Sequence, residues 1–255
     1  GKRFFPVLQE VAARKPVLIL KGGTTGAGVQ AVSSHTGSLV GRGEVWWSLC
    51  RQAGAVAATS PDDLVDLTVA FHYLTPPVGS RTAIIVFGGG FGVKAADDCE
   101  RGGLSVPPLD PATRQKLSRL MPQAGTSTAN PVDVSPGVIW LAGPLFQALS
   151  ALDASPEVDL SLVHVWVPSH THRDDPALIE HQAEAMTRAR RELKKPAVAI
   201  NSFTGSPEGA DSTVKALHKC VEAGVPVFHT FHSGASAIRR FIDYHSRSKE
   251  PPCPR

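Results

Sequence analysis

The chain has 255 residues, of which 42% are hydrophobic and 19% charged, and a formal net charge of +3. That length holds one large or two ordinary domains with room for a buried core, and the balance excludes a disordered chain. No apolar run is long enough for a membrane span, no signal-peptide pattern opens the sequence, and no Lys/Arg stripe with interleaved aromatics suggests a nucleic-acid partner. Cys50, Cys99, Cys220 and Cys253 are far apart and form no C-x-x-C pair, so neither a disulfide framework nor a zinc site is implied. The expectation is a cytoplasmic protein with reduced thiols.

Residues 4–14 have helical spacing at Phe4, Val7, Leu8 and Val11, and Val17–Leu20 reads as a short buried strand. A glycine-containing segment then leads through a short helix into the polar run Ser33-Ser34-His35-Thr36-Gly37-Ser38. Neutral imidazole is a good nucleophile toward phosphorus. Small neighbours leave room for a phosphoryl group beside backbone amides, as at loops and helix starts. The same residues fit a histidine that only caps a helix. Residues 44–52 read as a helix, with Trp46 and Trp47 in tandem. Either indole can stack on an adenine, but adjacent side chains diverge on a helix, and packing in a core or interface accounts for them as well. Ala55–Ala58 is a candidate strand. Ser60-Pro61-Asp62-Asp63 is a helix start, with a serine cap, proline in the first turn and two acids to meet the positive end of the dipole.

The prolines and glycine between Pro76 and Ser80 mark a linker. A second α/β unit then opens with the strand Thr82–Phe87, the turn Gly88-Gly89-Gly90-Phe91-Gly92 and a helix to Arg101. It matches neither the dinucleotide fingerprint nor the P-loop, since Val93 stands where the third glycine would be and Lys94 lacks the flanking glycine and hydroxyl residue. A tight structural turn and a phosphate cradle are both compatible with it. An apolar stretch Val106–Leu109 and a capped helix from Asp110-Pro111 follow. Asn130-Pro131-Val132-Asp133 reads as a proline-stiffened loop whose Asx side chains either orient a ligand or serve local turns. Helices are expected over 141–151, 176–193, 212–223 and 235–244, alternating with strands at 160–167, 197–201 and 225–228. This alternation predicts a parallel sheet covered on both faces, with ligands at the carboxyl ends of its strands. His170-Thr171-His172-Arg173-Asp174-Asp175 suggests a divalent-metal cluster, but an exposed acidic helix start explains it without metal.

The run Lys15-Pro16-Val17-Leu18-Ile19-Leu20-Lys21-Gly22-Gly23, then Ala27-Gly28 and Ser34-His35-Thr36-Gly37-Ser38, resembles the NDP-forming acyl-CoA synthetases, relatives of succinyl-CoA synthetase. Gly54-Ala55-Val56, Ser60-Pro61-Asp62-Asp63-Leu64 and Asn130-Pro131-Val132-Asp133 extend the likeness through nearly the whole chain. The resemblance implies an α/β fold of two flavodoxin-like or Rossmann-like parallel-sheet units. Residues 1–76 would be the carboxyl-terminal part of a first, incomplete one, 80–246 a second, and 247–255 a disordered tail. It implies that His35 carries a phosphoryl group during turnover and that Ser34, Thr36, Gly37 and Ser38 shape its loop. Gly88, Gly89, Gly90, Gly92, Asn130 and Asp133 would line the neighbouring domain as phosphate-binding or loop-shaping residues. CoA and ADP/ATP would be substrates bound largely outside this chain, with Mg accompanying the nucleotide and no metal held here. An ATP-grasp domain or subunit, a CoA-binding domain and an acidic residue for the histidine would lie elsewhere, and an oligomer is expected. A regulatory domain of a protein acetyltransferase, or a ligand-sensing scaffold, is the alternative.

Overall fold

The computed structural model describes residues 3–36, 43–76, 78–121, 125–134, 142–165, 176–201 and 207–247. In the first unit, β1 (Leu18–Leu20) pairs in parallel with β2 (Val56–Ala58). Helices α1 (Phe4–Ala12), α3 (Gly43–Ala53) and α4 (Pro61–Tyr73) pack around this ribbon, and α2 (Gly26–Thr36) follows β1 with no buried residue among those described. Strand alternation divides its residues between two cores. Ile19 and Ala57 pack with Leu8, Cys50 and Ala53 under α1 and α3. Leu18, Leu20, Val56 and Ala58 face the other way, into a cluster shared with the second unit.

The second unit is a five-stranded, wholly parallel sheet in the order β4-β3-β5-β6-β7. Its strands are β3 (Thr82–Val86), β4 (Val132–Asp133), β5 (Leu160–His164), β6 (Ala197–Ile200) and β7 (Val227–Phe228). This is the flavodoxin-like doubly wound order, with its switch point at the carboxyl end of β3. Helices α5 (Gly89–Arg101) and α10 (Phe231–Arg247) cover one face, where Ile84, Val86, Leu162 and Ile200 are buried. The opposite face buries Ala83, Ile85, Val163 and Ala199, together with residues of α6 (Pro111–Ser118), α7 (Ala142–Asp153), α8 (Pro176–Glu192) and α9 (Pro207–Glu222).

The two sheets are separate, yet α4 locks the units together. Ser60 Oγ accepts the Asp63 N–H at 3.1 Å, and the Asp63 carboxylate accepts the Thr59 N–H at 2.7 Å, which closes the start of α4 from both sides. The same carboxylate pairs with the Arg240 guanidinium on α10. That partner, with the Thr59 amide, holds the Asp63 carboxyl below the usual carboxylate range against the opposing effect of burial. Further along, Phe71 meets Phe241 edge-on at 5.2 Å and Tyr244 at 5.3 Å.

Several expected boundaries shift for physical reasons. Residues 106–110 form no strand, because Pro107 and Pro108 have no N–H to give a ladder; only an Arg81–Ser105 bridge forms there. Val132–Asp133 is not loop but the edge strand β4, in register with Ile85–Val86. Helix α10 begins at Phe231 instead of Ala235, because Thr230 Oγ1 accepts the Ser233 N–H at 3.0 Å. The His170–Asp175 cluster and residues 248–255 lie outside the described residues.

Candidate functional site

The switch point of the second sheet is built from glycines with different duties. Gly88 has φ +104°, a conformation that side-chain-bearing residues rarely adopt, and it turns the chain from β3 into α5. Its N–H donates to Asp133 Oδ1 at 2.8 Å, so the edge strand fixes the turn. Gly88 offers no side-chain cap to α5, and a side chain at Gly90 would meet open space. The first-turn amides of α5 therefore have no side chain of the cap residue over them, and the positive end of a thirteen-residue helix favours an anion there. Gly92 serves packing instead: a Cβ there would stand 3.1 Å from Val86 and 3.4 Å from Pro131.

Asn130 is committed to the backbone. Its Oδ1 accepts the Ile84 N–H at 2.9 Å, and its Nδ2 donates to the Thr82 and Pro107 carbonyls at 2.7 and 2.9 Å. The amide thus extends the pairing of β4 along β3, and Asp133 alone of the two Asx side chains reaches the glycine turn.

His35 stands on the first unit, exposed, as the next-to-last residue of α2. The helix takes in Ser33 to Thr36, which the sequence pattern placed in a loop, since nothing in that run stops a helix before Gly37. Thr25 Oγ1 accepts the Gly28 N–H at 3.2 Å at the start of α2, and Ser34 Oγ turns back to the Ala31 carbonyl at 2.9 Å. In the last described turn of α2 the N–H groups are bonded within the helix and the dipole is negative, so among the described residues Ser34, His35 and Thr36 offer a phosphoryl group on the ring no free amide. Gly37 and Ser38 lie outside the described residues.

One residue at this crest was not singled out from the sequence. His164 ends β5 beside the switch strand, is 3% exposed, and among the described residues has neither ring nitrogen hydrogen-bonded. It stacks on Phe91 of the first turn of α5 at 4.3 Å, with Phe231 at 6.2 Å. A histidine inside the apolar run Leu160–Val165 was the available signal. Burial pushes its pKa down to about 4. The folded protein thus holds it neutral while the unfolded chain takes up a proton near pH 6.5. Stability is full above that pH and declines as the pH falls toward 4, by about 3 kcal/mol in all. Chemical denaturation between pH 7 and 4 should show this loss in the wild type and a shallower slope in His164→Leu; parallel slopes would mean that carboxylates carry the acid sensitivity.

Among the described residues, no group of three or more His, Cys, Asp or Glu is placed to hold a metal, and no helix is long and apolar enough to cross a membrane.

Known proteins resemble this chain in sequence and fold. A family profile described as "Succinyl-CoA ligase like flavodoxin domain" matches residues 1–71. The α subunit of the ADP-forming acetate–CoA ligase II of Pyrococcus furiosus is 31% identical over 202 residues, which are 78% of this chain and 42% of that one. The ADP-forming 4-hydroxybutyrate–CoA ligase of Nitrosopumilus maritimus is 27% identical over 250 residues, covering 96% of this chain and 33% of its own length. In structure, the dinucleotide-forming acetyl-coenzyme A synthetase 1 of Candidatus Korarchaeum cryptofilum, in complex with phosphate and ADP, superposes with a TM-score of 0.76 at 25% identity. It is matched over 98% of this chain and 53% of that one. The chain thus spans about half or less of the length of each of these relatives.

Proposed function

We propose that this chain, which belongs to the NDP-forming acyl-CoA synthetase and succinyl-CoA synthetase superfamily as an α-subunit-like region, is the phosphohistidine-bearing part of an ADP-forming acid–CoA ligase. The carrying observation is the exposed imidazole of His35 inside the segment matched by the succinyl-CoA ligase profile.

The chemistry runs in three balanced steps. Phosphate displaces CoA from an acyl-CoA, giving an acyl phosphate and free thiol. A ring nitrogen of His35 then attacks phosphorus; the P–O bond to the acyl group breaks and the carboxylate leaves. A terminal phosphate oxygen of ADP finally attacks the same phosphorus, the N–P bond breaks, and ATP forms. A covalent carrier suits a reaction whose acyl and nucleotide sites are apart. The described end of α2 offers His35 no free amide, so amides of other residues would neutralise the phosphoryl oxygens. The Gly89–Gly90 start of α5, next to the Gly88 amide that Asp133 already holds, is the candidate source of such amides. CoA, ADP/ATP and Mg enter through a CoA-binding domain and an ATP-grasp partner in the whole cytoplasmic enzyme.

The test is phosphorylation itself. The full-length enzyme, given ATP labelled at the terminal phosphate, should acquire acid-labile, base-stable label, and peptide mapping should place it on His35. Label on another histidine, or none under conditions that support turnover, would overturn the assignment.

A further inference from the structure

A cavity lies between the two units, away from the glycine turn. It is a cleft of about 480 Å³ bounded by the carboxyl-terminal ends of α1 and α3, the amino end of β2 and one stripe of α10. That volume falls in the range of small-molecule sites, which favour domain interfaces. Ala12, Ala55 and Ala57 form part of its lining, where larger side chains would have closed the gap. Because it opens at the amino end of β2, it is not the carboxyl-end site of an open α/β sheet.

The walls carry two kinds of group. Trp47 is 38% exposed and half-buried Tyr244 also lines the cleft, so an aromatic surface is available from each unit. The tandem tryptophans have parted: Trp46 stacks on Phe4 at 5.8 Å, and Trp47 faces the cleft. Of the charged lining, Arg240 is paired with Asp63, and Asp243 with Arg239 at 2.7 Å. Arg51 and Arg247 are exposed, line the same cleft, and have no carboxylate partner among the described residues. Each lies in the last turn of its helix, where it offsets about half a negative charge of the dipole. The α1 end contributes about another half, so the two cations still leave the cleft net positive by a fraction of a charge. That balance suits one anionic group, a carboxylate or a monophosphate of about −1.5 to −2 charge, and disfavours a polyphosphate.

We propose that this cleft binds a flat aromatic ring bearing a single anionic group, its ring against Trp47 and Tyr244 and its anion between Arg51 and Arg247. A nucleoside monophosphate and an aromatic acid share that chemistry. Such a ligand bridges α3 and α10 and therefore favours the docked arrangement of the units.

Calorimetric titration of the 255-residue chain with AMP and with benzoate tests this. Adenosine and ribose 5-phosphate serve as the ring alone and the anion alone. At least one of the two complete probes should bind with sub-millimolar affinity and quench tryptophan fluorescence. Its two halves, or for benzoate the neutral benzamide, should each bind at least about tenfold more weakly. The double variant Arg51→Gln/Arg247→Gln, at exposed positions that leave the fold intact by circular dichroism, should also lose at least about tenfold. Tighter AMP identifies the nucleotide source, and tighter benzoate the aromatic acid. No binding by either probe below about 10 mM, or binding unchanged in the double variant, overturns the proposal.

Discussion

Replacement of His35 by asparagine should abolish acyl-CoA-dependent ATP formation in the full-length enzyme, by on the order of 10⁴-fold or more, while the protein folds as before. The asparagine amide is close to the imidazole in size but is not a nucleophile, so the N–P bond that links the two half-reactions cannot form. The fold should be indifferent because His35 is exposed on a helix with no buried residue among those described. Its stability should change by no more than about 0.5 kcal/mol, as for surface substitutions in general. The decisive pair of measurements is steady-state turnover and urea denaturation on the same preparation. Loss of turnover with unchanged stability fits the carrier role. Turnover within a few-fold of wild type would make His35 structural and turn attention to the scaffold reading of this fold. An intermediate readout discriminates further: acyl phosphate formation from acyl-CoA and phosphate precedes the histidine step, so the variant should still release CoA in a single turnover.

The largest stability loss is expected at Phe241. Its ring is 2% exposed and sits where α10 of the second unit meets Phe71 of α4 from the first. Truncation to alanine removes most of that ring from a core already closed by Leu67, Ala70 and Ile238. The surrounding helices are held by the two sheets and by the Asp63–Arg240 pair, so the cavity cannot collapse freely. Phe241→Ala should therefore cost about 3–5 kcal/mol. Because the core it belongs to contains residues of both units, tryptophan fluorescence and far-ultraviolet circular dichroism should still report one shared transition, at lower urea. A loss under about 1 kcal/mol, or two separated transitions in the wild type, would show that the units are energetically independent despite their contact.

How much of this was legible beforehand depends on the distance over which each feature is decided. The start of α4 was readable because Ser60, Pro61 and Asp63 act within one helical turn, and the cap of α6 at Asp110, which accepts the Thr113 N–H at 2.9 Å, was readable for the same reason. The alternation of strand and helix over residues 82–244 likewise announced a parallel sheet, since burial on both faces demands continuous apolar strands. The glycine turn could be seen, but the division of its duties could not. Gly92 is small because Val86 and Pro131 crowd it, and Pro131 is 39 positions away in sequence. Asn130 read equally as a ligand-orienting or a turn-forming residue, and its bond to β3, 46 residues back, is a long-range choice. His35 was identified by its neighbours in sequence, while its place at the negative end of α2 depended on where the helix stops. His164 was just another histidine until the first turns of α5 and α10 closed over it and removed its water. Propensity, capping and alternation are short-range and are written in the chain; the partners of a buried polar group, and the electrostatic end of a helix that a side chain meets, are chosen only when distant segments pack.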